Sequence, residues 1–418
     1  MEMVNVAEEL VTTGFLQIQV VVEDVGDPVP NAQVLITNRG ETTPLIELTT
    51  NISGLTPVIE LNTPPLNYSL APDNPRPYSE YDAYVNVQGF QAVRVEGMQI
   101  LPTSMAFQNI TLRPSVVYRR PVEDIYIDPH TLYGIFPPKI PEEEVKPLPE
   151  AQGLVVLPQP VIPEFIVVHL GPPDSDAQNV WIPFKDYIKN VASCEIYSTW
   201  PVQTIRANVL VILSFTLNRV YTEWYRGKGY DFTITNSTAY DQAFTYGRNI
   251  YNSISVIVDE LFTTYVTRPG IRQPLFTQYC DGSRVQCPRW LSQWGSNTLG
   301  EQGYDALSIL RYYYGSNVFL QQAERVSGVP VSFPGEALRL GSSGPAVRTI
   351  QEQLNAISNN YPAINKMRVD GAYGEQTQRA VRTFQEVFNL PVTGVVDFAT
   401  WYEISNIFVA VERLAELV

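Results

Sequence analysis

Between Arg119 and Pro163 the chain places ten prolines in forty-five residues, together with the acidic run Glu142-Glu143-Glu144. Proline fixes φ and lacks an amide hydrogen, so a helix or central strand does not survive that density and the stretch is expected to run extended and accessible. It divides the 418 residues into units that must build separate cores. A spacer explains the composition without any further role. Exposed, poorly structured chain is equally where a protease cuts, and composition alone leaves both readings open.

Residues 1–118 alternate as strands do. Leu16, Ile18, Val20 and Val22 share one face, Asp24 to Pro30 reads as a turn, and further strands are expected at Ala32 to Thr37, Val58 to Leu61, Tyr84 to Val87 and Ile110 to Leu112. Short strands punctuated by Gly, Pro and Asn predict an all-β sandwich. Residues 164–337 read as mixed α and β. Ser198 or Thr199 caps a helix with Pro201 at its first position, running to about Tyr225, and more helices are expected at Ile254 to Tyr265 and Asp305 to Tyr313. Strands are expected at Tyr230 to Thr235 and Leu275 to Tyr279. Residues 338–418 alternate helical stretches with glycine-containing turns. The expected architecture is therefore multidomain: a β-sandwich, a proline-rich acidic linker over 119–163, an α+β unit and a C-terminal helical unit.

Charge and composition remove several classes of function. The net charge is −15, of which residues 1–118 supply −9 and the linker −3. No basic field exists to attract phosphates, so nucleic acid is not an expected partner. The longest strongly apolar run, Val209 to Leu213, is far short of a membrane span. The first ten residues lack the basic start and apolar core of a secretory signal, and no export signal is expected within this chain. Two histidines, His130 and His169, are too few for the imidazole sites of zinc amidases and peptidases. Of the three cysteines, Cys280 and Cys287 are near enough to pair or to share a metal, but two thiols do not make a zinc site and all three can equally remain reduced. No metal or cofactor is expected.

Glu195 is the only carboxylate in the thirty-six residues from Tyr187 to Thr222, within Val191-Ala-Ser-Cys-Glu-Ile-Tyr-Ser-Thr-Trp-Pro201. On spacing alone it reads as a surface or salt-bridged glutamate, with Lys189 or Arg206 as partner. A second block follows about a hundred residues later: Trp290-Leu-Ser-Gln-Trp-Gly295, Glu301-Gln-Gly-Tyr304 and Ile309-Leu-Arg-Tyr-Tyr-Tyr-Gly315. Together the two blocks resemble the catalytic core of the stage II sporulation protein D family, lytic transglycosylases of bacterial peptidoglycan. The resemblance implies that Glu195 is the catalytic acid and that Gln293 and Trp294 bind sugar hydroxyls and faces, although Trp294 also fits a core aromatic. Gln242, next to Asp241, and Tyr279 and Asp281 in Gln278-Tyr-Cys-Asp-Gly282 correspond to family loops near the cleft. Cys194 between Ser193 and Glu195 departs from the family, as does Val209 to Leu213 where relatives have alanines. Gln286-Cys-Pro-Arg-Trp290 replaces a Gly-His-Gly-Val-Gly-like stretch.

Leu338-Arg-Leu-Gly-Ser-Ser-Gly344, Val347 to Leu354, Val369-Asp-Gly-Ala-Tyr-Gly374, Thr377 to Gln385 and Gly394-Val-Val-Asp397 with Thr400-Trp401 resemble the common three-helix peptidoglycan-binding module. Gly14 to Val20, Val29 to Val34 and Thr49 to Gly54 resemble the carboxypeptidase-regulatory or transthyretin-like sandwich. The whole order resembles the clostridial spore cortex-lytic proenzymes. That implies a proform held at the spore cortex or the coat-cortex boundary, with cortex peptidoglycan as substrate. It also implies a subtilisin-like germination protease that cuts near Gln152-Gly153-Leu154-Val155.

Glycosidases generally use two carboxyl groups. A lytic transglycosylase can use one, because the 6-hydroxyl of N-acetylmuramic acid attacks its own anomeric carbon and leaves a 1,6-anhydro end. An acid among apolar neighbours such as Val191, Ala192, Ile196, Tyr197 and Trp200 suits proton donation. Two alternatives stand beside this reading: a wall-binding or amidase-enhancing protein that needs no Glu195, and a two-carboxylate hydrolase with Asp241 or Asp281 as the partner.

Overall fold

The computed structural model describes residues 12–23, 26–115, 122–147 and 159–415. The expected cut at Gln152, Gly153, Leu154 and Val155 lies outside the described residues. The N-terminal strands are β1 (Thr12–Val22), β2 (Gln33–Asn38), β3 (Ile46–Thr49), β4 (Ile59–Thr63), β5 (Ser79–Asn86), β6 (Val93–Ile100), β7 (Met105–Leu112) and β8 (Glu123–Tyr126). They form two layers, one ordered β3-β2-β5-β6-β8 and the other built on β7-β1-β4. The alternation seen in the sequence puts Leu16, Ile18 and Val20 of β1 against Val34, Ile36, Val85, Val93 and Val95, all fully buried.

Over residues 122–147 the proline-rich stretch is not the accessible spacer that its composition predicts. Between Pro121 and Pro129 it forms β8, a short edge strand parallel to β6 with Val93 opposite Glu123, and an edge is where flanking prolines can be tolerated. Beyond β8 it makes a turn at residues 131–134 and otherwise forms no regular structure up to residue 147, but it is held against the α+β unit: His130, Leu132 and Lys146 are buried. Side-chain and main-chain bonds to neighbours fix it, so proline here excludes regular structure without excluding burial.

The α+β unit contains β9 (Val161–Ile162), β10 (Phe165–His169), β11 (Asn179–Pro183), α1 (Phe184–Glu195), α2 (Val202–Tyr221), β12 (Ile234–Thr235), β13 (Ile250–Tyr251), α3 (Asn252–Leu261), β14 (Thr264–Thr267), β15 (Tyr279–Cys280), β16 (Leu291–Ser292), α4 (Gln293–Glu301), α5 (Ala306–Tyr314), β17 (Phe319–Gln322) and β18 (Arg325–Val326). Helix α2 is buried on all sides, including Ser214, Thr216, Asn218 and Arg219, so it is the central post of the unit. Pro201 stands one position before it, and the helix stops at Tyr221. The proposed caps serve another purpose: Ser198 shares a 2.6 Å hydrogen bond with Ser104, and Thr199 donates to Ser69 at 2.8 Å. Both partners lie in the sandwich. The helix expected to reach Tyr265 ends at Leu261, because Thr263, Thr264, Val266 and Thr267 favour the strand that follows. The expected strands at 230–235 and 275–279 shrink to the two-residue pieces β12 and β15.

Sandwich and α+β unit share structure. Strand β13 adds to the sandwich beside β7, with Ile250 opposite Phe107 and Tyr251 opposite Ala106. Asn249 clasps the backbone of Gln99 through bonds of 3.0 and 2.8 Å, Arg248 donates to the Gln99 side chain at 2.7 Å, and the Trp200 indole donates to the Ser69 carbonyl at 2.9 Å.

The C-terminal unit packs α6 (Pro345–Ile357), α7 (Glu375–Val387) and α8 (Phe398–Ala415). One device occurs twice. The Gln351 amide accepts from Gly371 N at 2.8 Å and donates to the Ala372 carbonyl and to Thr377 at the start of α7. The Gln385 amide accepts from Gly394 N at 2.8 Å and donates to the Val395 carbonyl and to Thr400 at the start of α8. Each glycine has positive φ, +75° and +69°, where a side chain would be strained.

This unit is tied down by buried charge. Asp259 on α3 receives Lys185 at 3.1 Å and Lys189 at 2.9 Å, both from α1, and Lys185 also contacts Glu403 on α8. Burial pushes the Asp259 carboxyl up, but the two ammonium groups hold it below its ordinary value. Asp259→Ala would leave two buried cations with one acid between them and is expected to destabilise the fold by about 3–5 kcal/mol, read as a lowered urea midpoint.

Candidate functional site

Helix α1 ends because Ile196 turns extended, with φ −138° and ψ 150°, and this leaves Glu195 as its last residue, 3% exposed. Its side chain meets four hydrogen-bond donors from four separate segments. Oε1 accepts from the Ala243 amide at 2.9 Å and the Tyr279 hydroxyl at 3.0 Å. Oε2 accepts from the Gln293 amide at 3.1 Å and the Thr131 hydroxyl at 3.3 Å. Gln293 opens α4, which Ser292 caps by accepting from Gly295 N at 2.9 Å, and its amide also donates to the Glu195 carbonyl at 2.9 Å. That double contact sets the carboxyl relative to α4. Burial and then the neighbouring Glu195 charge push the Tyr279 phenol well above its ordinary value, so it is a standing donor.

The apolar residues expected around Glu195, Val191, Ala192, Ile196, Tyr197 and Trp200, are all buried, and none of them lines the cavity beside it. Its carboxyl faces donors and a cavity of about 170 Å³ lined by Thr131, Gly134 to Lys139, Thr238, Tyr279 to Asp281, Arg284, Val285 and Gln293. Cys280 and Cys287 are disulfide-bonded, and Cys194 is free and buried. The bonded loop turns at Gly282, whose φ is +77° and whose absent Cβ would lie 1.8 Å from Ser292 Oγ. Glycine there lets the loop press on the start of α4.

Of the residues singled out from sequence, Gln293 and Tyr279 touch the acid and Asp281 lines the cavity. The Asp281 carboxylate is occupied by its own turn, accepting from the amides of Ser283, Arg284 and Val285. Trp294 and Gln242 are outside the lining. Trp294 is 7% exposed and packs edge-on against Trp200 and Tyr197, at 5.2 and 6.0 Å between ring centroids. Gln242 accepts from Thr216 at 2.7 Å and Tyr187 at 3.2 Å inside the core. Asp241 is spent on Arg219, Tyr225 and Thr235. The sequence reading missed Ala243, which acts through its backbone and leaves no side-chain signal. It also missed Thr131 and Lys139, which sit in a stretch read as linker.

Residues 343–404 match the family model for a putative peptidoglycan binding domain. The C-terminal unit is a peptidoglycan-binding domain. No curated protein matches the chain. Among solved structures, the SleB N-terminal domain is 31% identical with a TM-score of 0.17, covering 18% of this chain and 99% of that one. The Bacillus anthracis TIE protein is 15% identical with a TM-score of 0.18, over 25% of this chain and 18% of that one. Catechol 1,2-dioxygenase from Acinetobacter sp. ADP1 is 14% identical with a TM-score of 0.19, over 29% and 60%. At these TM-scores none of the three carries an argument about the chain. The peptidoglycan-binding domain gives the protein a cell-wall-associated role, and no helix among the described residues is long and apolar enough to cross a membrane.

Linker residues form much of the wall of the acid's cavity. Thr131 binds the Cys194 carbonyl through its amide at 3.1 Å and its hydroxyl at 2.9 Å, and His130 stacks on Tyr197 with ring centroids 4.4 Å apart. Lys139 is half-buried over the Tyr279 ring at 4.7 Å and donates to the Asp241 carbonyl; desolvation lowers its pKa against the pull of Glu195 and Asp241. Residues 140–146 continue as an extended strap. Gln278 bonds Glu142 N and the Ile140 carbonyl, Phe276 N bonds the Glu144 carbonyl, and Gln273 bonds Lys146 N and its carbonyl. Glu142 accepts from Arg219 at 2.6 and 3.1 Å and from Lys146 at 2.8 Å, and Glu144 receives Arg268 at 2.8 Å.

The strap should therefore respond to acid. Burial pushes the Glu142 carboxyl up, but Arg219 and Lys146 outweigh it and hold the group below its ordinary value. A carboxylate depressed on docking contributes attraction that is complete above its ordinary range and is lost as pH falls through the lowered value. The hydrogen-exchange protection of residues 140–146, corrected for the intrinsic pH dependence of amide exchange, is expected to change little between pH 7 and 5 and to fall below about pH 4, and Glu142→Gln is expected to remove much of that pH dependence.

Proposed function

We propose that the chain is the latent form of a peptidoglycan lytic transglycosylase acting on spore cortex, with Glu195 as its single acid and base. The observation that carries this reading is a lone carboxylate ringed by donors, in a cavity whose other acid, Asp281, is already committed to its own turn. A two-carboxylate hydrolase needs a second group free to activate water or to attack carbon, and neither Asp241 nor Asp281 has one to offer. One carboxyl suffices if the substrate brings the nucleophile.

In the proposed reaction Glu195 gives its proton to the glycosidic oxygen as the bond from the muramic anomeric carbon to that oxygen breaks. The 6-hydroxyl of the same muramic ring attacks that carbon and returns its proton to Glu195. The products are a 1,6-anhydromuramic end and a free 4-hydroxyl on N-acetylglucosamine, with no net loss of protons or electrons. Gln293 and the Ala243 amide hold the carboxyl in place through both steps. Tyr279 donates to the same carboxyl. The peptidoglycan-binding domain supports the substrate class by holding the enzyme on its polymer.

Latency follows from the linker. With residues 131–139 in place the cavity is about 170 Å³, below the ~300 Å³ at which ligand clefts begin. Thr131 and Lys139 add a donor and a cation beside the carboxyl. Both lie N-terminal to the proposed cut near Gln152 to Val155, so a subtilisin-like protease would sever the covalent link that ties them to the acid's unit and allow them to leave it. The β-sandwich then serves as the pro-region that carries the strap.

Glu195→Gln keeps the shape and removes the titrating proton. On cleaved protein and purified cortex, lysis is expected to fall by about 10²–10⁴-fold with the melting temperature nearly unchanged. Mass spectrometry of the wild-type products is expected to show anhydromuramic ends. Reducing ends would assign hydrolysis instead, and undiminished lysis by Glu195→Gln would remove the acid from the chemistry.

A further inference from the structure

The strap covers more than the acid. C-terminal to Lys139 it crosses a second cavity of about 480 Å³ lined by Ile140, Glu142, Trp224, Tyr225, Tyr230 and Tyr240. Lys146 lies 4.7 Å above the Trp224 ring and 4.1 Å above that of Phe276. Arg219 lies 5.0 Å from the Trp224 ring and 4.2 Å from that of Phe276 and is met by the linker acid Glu142, while Arg268, outside the cavity lining, is met by Glu144. Arg219 keeps Asp241 on its Nε at 2.7 Å, but Glu142 takes both terminal nitrogens. Arg268 is gripped by both oxygens of Glu144, at 2.9 and 2.8 Å from one nitrogen, and also donates to the Tyr314 carbonyl at 2.6 Å. Residues two apart on an extended chain face the same way and stand about 6–7 Å from each other, so the linker presents two carboxylates in a row to two guanidinium groups.

We propose that the surface under the strap, made of this cavity and the two arginines beside it, is a substrate subsite, in which Trp224 and neighbouring rings take sugar faces and Arg219 and Arg268 take carboxylates carried by a peptidoglycan strand. Glu142 and Glu144 occupy the two arginines in the latent form as stand-ins for those carboxylates. The inference rests on the reading of the chain as a peptidoglycan-cleaving enzyme and adds the part of the substrate it recognises. A buried guanidinium whose partner leaves is costly until an anion replaces it, and planar Arg–carboxylate pairing rewards a replacement of the same shape. Uncharged glycans such as chitin oligomers offer hydroxyls and acetamides, which cannot restore the charge. Muramic lactyl groups and stem peptides offer carboxylates at intervals along the strand.

The test reads binding, not turnover. Full-length Glu195→Gln protein is titrated calorimetrically with soluble cortex glycan strands, either with free carboxylates or with carboxylates amidated by carbodiimide and ammonia. Opening the strap with Glu142→Gln/Glu144→Gln, or with Glu144→Arg as an independent route, is expected to raise affinity for free-carboxylate strands at least tenfold. Adding Arg268→Gln is expected to abolish that gain, Arg268→Lys to restore part of it, and amidated strands to show none. No gain by either route, or a gain that survives amidation or Arg268→Gln, would overturn the proposal. Retained lysis by Glu195→Gln would overturn the chemistry assigned to Glu195 and leave this result standing by itself.

Discussion

Arg219 and Asp241 form an ion pair with both side chains completely buried, and the site is assembled around it. A helix buried on all sides, as α2 is, must answer its polar side chains from within the protein. Asp241 does this for Arg219 while accepting from Tyr225, Thr235 N and Thr235 Oγ. The same contacts fix the chain at 241–243, and two residues on, the Ala243 amide is aimed at Glu195. The acid's geometry is thus inherited from a charge pair in the core. Removing either partner would strand the other and loosen the loop that supplies the amide.

The charge pair also links the acid to the linker. The terminal nitrogens of Arg219 meet Glu142, and one of them also donates to the Tyr240 carbonyl at 3.2 Å, so one guanidinium is shared between permanent partners and a removable one. Around Glu195 the division is the same. Gln293, Tyr279 and Ala243 belong to the α+β unit, whereas Thr131 and Lys139 belong to the stretch before the proposed cut. Lys146, buried against aromatic rings and pushed down to about 8 by burial despite Glu142, shows how tightly this strap is drawn in.

The layers were legible where one physical rule governs many residues at once. Period-two alternation in β1 and the glycine spacing around Gly371 and Gly394 follow from chain geometry, and the sandwich and helical units could be read from them. Glu195 stood out because so few acids surround it, and Tyr279 and Gln293 because they lie in blocks with a family resemblance. What could not be read depended on tertiary partners. Trp294 can stack on sugar or on Trp200, and only packing chooses. Ser198 and Thr199 fit helix caps, but Ser104 and Ser69 claim them. Proline density excluded helix correctly among the described residues of 119–163 and said nothing about what lies beside an extended chain. For that reason β8, Thr131 and Lys139 were invisible.

The shared edge between sandwich and α+β unit has a bearing on timing. Strand β13, the Asn249 clasp on Gln99, the Trp200 bond to Ser69 and the strap's own pairs are all non-covalent. A protease that severed the chain after the strap would break none of them. The two pieces would stay docked until thermal motion parted them, so the rate of separation, more than the rate of cutting, would set the interval before the cleft opened. A population of such molecules would keep a record of having been cut well before it acted on the wall.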